Sequence, residues 1–526
     1  MIVYKYRSKS LSPPSYPFLS FPGPFNAPPY EDLRVNQMFG VAQVDKVRPI
    51  VNLSYPPKAS YNDAIPKKSL PKITMASSKM ISQRIYEKGP GCLISKLDHS
   101  AAYKIIPTKP SQWRLQGFTW LGKYFIDKQL VFGSQSAVPN YDGFHFVIVI
   151  LAILLATSVN EDDIFRILDD LISLGRNGNF IETYLRIAHD INIPLAPIGD
   201  QEKAFLYQTK GVVLGVLYDT NKMSWSFPPL KLQHWQYKIQ KVLKRSFVSL
   251  KQLQSVNGMI NCVVTQCPML RFWRAPIITE MNRARKAPHQ KIKLTAGASN
   301  TMANWLRILD SVGEHFPIPA PLEKVTSFDW IFTTDASSLA KNSVLTVKRG
   351  IGACGFPSFH HSVLYVGQTT WPTEFISKTF DSAGKFVGCK TTFLEIVGLF
   401  VPIFHNRYKL RKSTVLIYVD NQPSCYAFAK GKSTKDPWAT FILEVLALIL
   451  IRLEIGLVVR HCKRRLTKES RLADDLTRDD AKGRRRRAKY SKSGIMQFGW
   501  PPRLEAWLQK PYFSPQAKWD ILQDFL

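Results

Sequence analysis

The sequence predicts a multidomain chain of mixed α/β and α+β architecture, and three observations carry that prediction. At 526 residues it is too long for one core, and length alone points to about three domains. Short apolar strands alternate with helical patterns from about Asn36 to Phe227, and strands resume at Trp330. Between these stretches, residues 231–300 hold 13 Lys/Arg and a single acidic residue, Glu280. Hydrophobic residues at 45% and aromatics at 12% make a globular composition and exclude a disordered chain.

In chain order, residues 1–35 read as a proline-rich arm, and their polar character excludes a secretory signal. Residues 36–230 form the first strand-and-helix domain. It has strands at Lys46–Ser54, at Asp98 and around Trp113 to Tyr124, then a Gly/Ser/Pro loop from Val131 to Tyr141. A helix over Phe146–Ala156, a hairpin around Asp169-Asp170, a helix near Asn179–Ile191 and strands at Gly211–Tyr218 and Lys222–Phe227 complete it. In residues 231–300, Trp235, Ile239, Val242 and Leu243 recur at helical spacing, with Lys238, Lys241, Lys244 and Arg245 between them. That is an amphipathic helix whose basic face suits phosphate. Residues 301–325, with Pro317, Pro319 and Pro321, read as a linker, 326–480 as the second strand-rich domain, and 481–526 as a basic tail. The apolar run Phe146 to Ala156 is too short to span a bilayer, and Glu444, Arg452 and Glu454 interrupt Phe441 to Val459. Both read as buried helices.

The net charge of +32, from 71 basic and 39 acidic residues, argues for a polyanionic partner, of which nucleic acid is the usual one. No basic amphipathic anchor or lipidation motif favours a membrane. Cys92, Cys262, Cys267, Cys354, Cys389, Cys425 and Cys462 have no Cys-x-x-Cys pairing and read as reduced, buried thiols, not a disulfide frame or zinc site.

Asp169 and Asp170 lie at the tip of an apolar hairpin, between Ile164-Phe165 and Leu171-Ile172. Adjacent carboxylates there repel one another, a cost that a divalent cation offsets. Alone, such a pair is an acidic turn. A third strand-end carboxylate, Asp98 in Lys96-Leu97-Asp98-His99, makes a metal-binding set the better reading.

With these residues placed, positions 40–300 resemble the reverse transcriptase family. Lys96, Asp98 and Tyr103 match its Lys-x-Asp-x-x-x-x-Tyr. The resemblance implies that Tyr103 lies beneath the incoming sugar and excludes a 2′-hydroxyl. Arg48, assisted by Lys46, matches the fingers arginine that grips the triphosphate, a task for a permanently charged bidentate donor. Leu130-Val131-Phe132-Gly133-Ser134-Gln135-Ser136-Ala137 is similar to the loop that supports the nucleotide through Phe132 and Gly133, with Val131 in place of a proline. Ile167 stands where an aromatic usually precedes the aspartates, and Val138-Pro139 carries one residue more than usual. Val213-Leu214-Gly215-Val216 resembles the primer-grip hairpin, so Leu214 and Gly215 join Lys238, Lys241, Lys244 and Arg245 as primer or template contacts. The fold implied is a right-hand polymerase: fingers and palm over 36–230, basic thumb or connection over 231–300.

Downstream, Asp335, Glu395, Asp420 and Asp474 stand at two strand ends, on a helix, and in Ala473-Asp474-Asp475-Leu476-Thr477-Arg478. Together they resemble a ribonuclease H domain, with Asp475 the rival for the fourth place. The segment from His461 to Asp474 is longer and more basic than usual. Each carboxylate set is implied to hold two Mg²⁺, or Mn²⁺, ions.

The order polymerase then ribonuclease H resembles a retrotransposon polyprotein. Arg48-Pro49-Ile50-Val51-Asn52-Leu53-Ser54-Tyr55-Pro56 with Ser60-Tyr61-Asn62-Asp63, and Lys430-Gly431-Lys432-Ser433, look most like DIRS-type elements, with Gypsy-type elements the alternative. The implied activity is RNA-directed DNA synthesis and hydrolysis of the hybrid's RNA. Its partners are an RNA template, DNA primer, RNA–DNA hybrid and dNTPs, with no membrane. No protease, integrase or recombinase motif appears, so integration needs a separate recombinase or integrase. An intracellular setting, cytoplasmic or nuclear, follows, with Arg484 to Lys489 suited to nuclear import. The alternative is an inactive or decayed copy that only binds nucleic acid.

Overall fold

The structure is a computed structural model that describes residues 22–42, 47–199, 203–313, 316–319, 327–336, 350–358, 365–372, 391–431, 433, 437–463, 466–477, 485, 488, 495–509 and 515–525. It divides into two compact units, Met1–Ser77 with Gly91–Val213, and Ser78–Pro90 with Leu214–Leu526.

In the first unit β1 (Val35–Ala42) pairs antiparallel with β2 (Val47–Asn52). The next helix, α1 (Ser78–Lys88), belongs to the second unit. Strand β3 (Ile94–Asp98) follows, then a 3-10 turn over Pro110–Leu115 and the hairpin of β4 (Gly117–Trp120) and β5 (Lys123–Ile126). β4 joins β1 in parallel, giving the order β2-β1-β4-β5. The expected loop from Val131 to Tyr141 ends earlier, because α2 (Ala137–Leu155) begins at Ala137 and its Pro139 sits in the first turn, where no N–H is needed. At 19 residues this helix is long and apolar enough to cross a membrane by length and composition, unlike the shorter run read from the sequence. It is not the buried helix expected from the sequence: Tyr141, His145, Ile148, Val149 and Ala152 face the core, but Phe146, Val147, Leu151, Leu154 and Leu155 are exposed.

β6 (Ile164–Ile167), β7 (Asp170–Leu174), α3 (Phe180–Asp190), β8 (Phe205–Gln208) and β9 (Lys210–Val213) follow. The antiparallel sheet runs β6-β7-β3-β8. Side chains alternate across it, so Leu97 and Leu171 enter a core with Ile148, Val149, Phe180, Ile181 and Tyr184 of α2 and α3. Their neighbours Lys96, Asp98 and Asp170 take the opposite face.

In the second unit β10 (Val216–Asp219) and β11 (Ser224–Ser226) form a hairpin, so the strand expected over Gly211–Tyr218 is interrupted at Leu214-Gly215. Three helices follow: α4 (Pro229–Leu243), α5 (Leu250–Gln266) and α6 (Ala275–Lys286). The short strands β12 (Val248–Ser249) and β13 (Lys291–Ile292) pair across them. Residues 301–325 were expected to be a linker, but α7 (Ala296–Gly313) occupies their first half. Ala298, Met302, Trp305, Ile308 and Leu309 recur at helical spacing and are buried, and the prolines come only afterwards, at β14 (Phe316–Pro317).

A six-stranded sheet then runs β19-β18-β15-β16-β17-β20. Its strands are β15 (Trp330–Ala336), β16 (Gly350–Pro357), β17 (Tyr365–Thr370), β18 (Thr414–Val419), β19 (Gly456–His461) and β20 (Met496–Gln497). The first three are antiparallel, while β18 joins β15, β19 joins β18 and β20 joins β17 in parallel. Its helices are α8 (Thr391–Gly398), α9 (Phe400–Leu410), α10 (Gln422–Lys430), α11 (Pro437–Arg452) and α12 (Lys468–Thr477). The Phe441 to Val459 run divides into α11, a turn at Glu454 (φ 57°) and β19.

The 481–526 segment is not a simple tail. β20, α13 (Pro502–Gln509) and α14 (Pro515–Leu522) complete the fold, burying Leu504, Trp507, Leu508, Ile521 and Phe525. Most of the 484–489 run lies outside the described residues. The ammonium of Lys518 is buried against the Glu444 carboxylate of α11 and lies 4.4 Å from the Trp273 ring. Burial raises the Glu444 pKa, and Lys518 opposes that shift. Lys518→Met is therefore expected to cost about 3 kcal/mol, because it strands a buried carboxylate. The double variant with Glu444→Gln should regain most of the loss in thermal unfolding.

Of the cysteines expected to be buried, Cys92, Cys267 and Cys354 are, whereas Cys425 and Cys462 are half-buried and Cys262 is exposed on α5. Cys389 lies outside the described residues.

Candidate active sites

The first site is built by cross-strand register. Asp98, the last residue of β3, lies directly opposite Asp170, the first residue of β7. Asp169 sits in the two-residue turn between Ile167 and Asp170, with Leu168 before it at φ 50°. The Asp169 carbonyl accepts the His99 N–H at 3.0 Å, and the Asp98 carbonyl accepts the Ala196 N–H at 2.8 Å, so both strand ends are fixed through their backbones. Lys96 lies 3.2 Å from Asp170 Oδ1. Burial pushes the Asp98 carboxyl up to about 6, helped by Asp170 and Asp169 and opposed by Lys96. Burial also raises Asp170, against Lys96.

That shift has a sign in solution. Between the ordinary value of 3.8 and about 6 the folded protein holds a proton that the unfolded chain has lost. Stability therefore falls as pH rises through that window. We expect a loss on the order of 1 kcal/mol in chelator, after solvent screening, that Asp98→Asn removes and millimolar Mg²⁺ reverses. Thermal unfolding at pH 4 to 7 checks it.

Tyr103 stands in a 3-10 turn beside this site, its ring 4.7 Å from Phe132 and 5.4 Å from Tyr141, edge-on to both. Gly133 (φ 103°) has the Val51 carbonyl 3.2 Å from where a Cβ would stand. Buried Asn62 clamps this loop, donating to the Gly133 carbonyl at 2.8 Å and accepting the Gln135 N–H at 2.9 Å. Lys46 lies outside the described residues, and Arg48 is described only by its backbone, opposite Val41 in the β1–β2 pair.

In the second unit Leu214 (φ 51°) and Gly215 (φ 69°) make the turn before β10. Lys231 Nζ donates to the Gly215 carbonyl at 2.9 Å and lies over the Phe227 and Trp235 rings. On α4, Leu232, Trp235, Ile239 and Val242 are buried and Lys241 is exposed, while Lys238 is half-buried. Lys244 and Arg245 follow the helix end and are exposed, so the basic face spans the helix and its C-terminus.

The second site lies at the carboxyl ends of β15 and β18. The parallel register pairs Thr333 with Tyr418, and Asp335 and Asp420 come two residues later on each strand. Glu395 reaches them from α8, which packs on β15. Each of these three offers a carboxylate oxygen within 4.8 Å of the others, and Asp335 and Glu395 are buried. The donors are all hard oxygens, which fit Mg²⁺ or Mn²⁺. Asp474 lines the same pocket with Thr333, Thr334, Asp335, Asp420, Cys462 and Ser470 but stands outside the three-carboxylate cluster. Asp475 is buried and does not line the pocket. α12 carries Asp474 there by lying flat on Gly352, where a Cβ would meet the Ala473 carbonyl at 2.4 Å. The Thr477 hydroxyl is 2.8 Å from Asp335 Oδ2. Among the described residues, Asp98, Asp169 and Asp170 do not close to the same spacing.

Sequence reasoning missed Asn62, Lys231 and Thr477 as supports, and a buried group formed by His99, Tyr141, His145 and Tyr184 behind the first site. Two signals were available. His99 directly follows Asp98, and His145 is the one ionisable residue in the apolar stretch from Gly143 to Leu155.

No protein-family model matches the chain, and no curated protein matches it by sequence. Among solved structures, the foamy viral protease–reverse transcriptase dRH in complex with ds DNA is similar at TM-score 0.41 and 13% identity, covering 82% of this chain and 65% of that one. The foamy viral enzyme in complex with RNA/DNA hybrid is similar at TM-score 0.39 and 12% identity, covering 83% of this chain and 51% of that one. Its complex with dsDNA gives TM-score 0.39 and 11% identity, covering 82% and 78%. The chain thus spans less than two thirds of the length of the first two.

Proposed function

We propose that this chain is an RNA-directed DNA polymerase with an associated ribonuclease H, from a retrotransposon most similar to the DIRS type. The observation that supports it best is that one chain carries two sets of carboxylates, Asp98 opposite Asp170 with Asp169 in the adjoining turn, and the clustered Asp335, Glu395 and Asp420. A net charge of +32 supplies the electrostatics for a nucleic-acid duplex. In this reading residues 36–230 are fingers and palm, 231–300 the thumb or connection, and 326–480 the ribonuclease H domain. The chain works inside the cell, in cytoplasm or nucleus, and leaves integration to another polypeptide.

In the polymerase site, Asp98, Asp169 and Asp170 would hold the divalent cations, and Lys96 offsets their mutual repulsion from the Asp170 side. Tyr103, braced edge-on by Phe132 and Tyr141, presents its ring under the incoming sugar and selects deoxynucleotides. The Gly133 loop, fixed by Asn62, supports the nucleotide, and Arg48 with Lys46 grips its triphosphate. The Leu214-Gly215 turn and the basic residues Lys238, Lys241, Lys244 and Arg245 hold the primer–template backbone. In the hydrolytic site, Asp335, Glu395 and Asp420, with Asp474 at the pocket wall, would hold the second pair of cations. Divalent cations held by these carboxylates would supply Lewis-acid activation of the attacking hydroxyl or water and charge neutralisation at the leaving oxygen. The RNA strand is selected by A-form shape and 2′-hydroxyl contacts, not by sequence.

The test is extension of a DNA primer on an RNA template, with cleavage of a labelled RNA–DNA hybrid, by the purified full chain in Mg²⁺ or Mn²⁺. Extension with dNTPs and endonucleolytic cuts in the RNA are the expected result. A folded protein that binds the hybrid and does neither would overturn the enzyme reading and leave a nucleic-acid scaffold.

A further inference from the structure

Behind the first acidic site, four buried polar side chains from three elements form one continuous hydrogen-bonded line. Tyr141 OH lies 2.5 Å from His99 Nδ1, and His99 Nε2 lies 2.6 Å from Tyr184 OH. Tyr184 OH lies 2.9 Å from His145 Nε2, and His145 Nδ1 lies 2.5 Å from the Leu168 carbonyl oxygen. All four side chains are buried, with Tyr141, His145 and Tyr184 at 0% exposure and His99 at 2%.

With both rings neutral, the last partner fixes the direction of every bond. A carbonyl only accepts, so His145 Nδ1 carries its proton and donates to Leu168. In a neutral ring Nε2 is then the acceptor, and Tyr184 donates to it. The Tyr184 oxygen in turn accepts from His99 Nε2–H, which leaves His99 Nδ1 to accept from Tyr141. Each hydroxyl and each ring N–H has one partner, and the two imidazoles are opposite tautomers.

The line ends where the backbone is strained. Leu168 has φ 50°, a left-handed conformation that is unfavourable for a residue with a side chain and lasts only where its surroundings enforce it. α2 enforces it twice: His145 holds the Leu168 carbonyl, and Arg166 of β6 donates to the Asp142 carbonyl at 2.7 Å and pairs with its carboxylate. At the other end, Tyr141 packs edge-on against Tyr103.

We propose that the Tyr141–His99–Tyr184–His145 line is the positioning device of the polymerase site, holding the strained Leu168-Asp169 turn in place against the nucleotide-side ring Tyr103. These are positioning residues, since none lies among the metal ligands. The proposal rests on the polymerase reading for its catalytic consequence, but its geometry is tested without it.

Two experiments decide it, both on the full chain. Ring ¹⁵N spectra of histidine-labelled protein without metal, assigned with His99→Gln and His145→Asn, should show His145 as the Nδ1–H tautomer and His99 as the Nε2–H tautomer. Either ring found in any other form overturns the proposal. Second, steady-state extension is compared for His145→Asn, whose amide puts a donor near the Nδ1 position, and His145→Gln, whose amide falls near Nε2. The Gln variant should lose kcat by about 10–100-fold with KM for the primer little changed, while Asn recovers most of it. Hybrid cleavage by both should match the parent, and an unchanged circular-dichroism spectrum with a cooperative unfolding transition should report intact folding. Equal loss, or no loss, in the two variants overturns the positioning role. A parent protein that extends no primer but shows the expected tautomers rejects the polymerase reading and retains the network.

Discussion

Glu395→Gln is expected to lower hybrid cleavage by about 10³-fold or more, equivalent to ~4 kcal/mol of barrier, while leaving primer extension at the parent rate. The side chain keeps its volume and its reach from α8, so the helix stays packed on β15. What changes is charge. Asp335, Glu395 and Asp420 bring three carboxylate oxygens within 4.8 Å, and Glu395 is almost fully buried at 1% exposure. Repulsion in that cluster is balanced when divalent cations are held, and a neutral amide removes one ligand charge from the balance. A second readout separates this from simple damage. In chelator the variant should unfold at a higher temperature than the parent, because repulsion is relieved, and it should gain less stability from added Mg²⁺. Asp474→Asn should be milder in both respects, since that carboxylate lines the pocket without entering the cluster.

Asp98, Asp335 and Asp420 were legible in the sequence because each stands at the end of a short apolar strand, and alternation along β3 and β7 dictates that Lys96, Asp98 and Asp170 share a face. The helix at Ala296–Gly313 was hidden by Gly297, Ser299, Asn300 and Thr301, whose loop-like chemistry masks the apolar spacing that continues through Met302 and Trp305. The C-terminal segment was obscured by the basic run beside it. Its apolar residues are few and separated by prolines, and they acquire meaning only when α14 meets α11 through Lys518 and Glu444. The His–Tyr line was invisible for another reason: it joins positions as far apart as His99 and Tyr184, and no local pattern encodes which buried polar groups will meet. Its absence from the sequence reading is the general case for buried networks, whose members look singly like core residues with a spare polar atom.

Asp169→Asn is expected to abolish primer extension, by about 10³-fold or more, with hybrid binding and hybrid cleavage unchanged. This variant is the cleanest single test of the polymerase reading because of where the side chain stands. Asp169 is exposed in the turn between β6 and β7, and the bond that secures the turn there runs from the His99 N–H to its backbone carbonyl. Asparagine keeps that carbonyl and tolerates turn geometry, so stability should move by no more than about 0.5 kcal/mol. Loss of extension then reports loss of a ligand charge and not loss of fold. Asp98→Asn should abolish extension as well, but it also relieves the carboxyl that burial and its neighbours push up to about 6, so its activity and stability effects run in opposite directions. If Asp169→Asn extended primers at the parent rate, the chemistry would lie elsewhere in the chain. The strained Leu168-Asp169 turn would then be a structural feature of the sheet, and the case for two catalytic centres would reduce to the Asp335, Glu395 and Asp420 cluster alone.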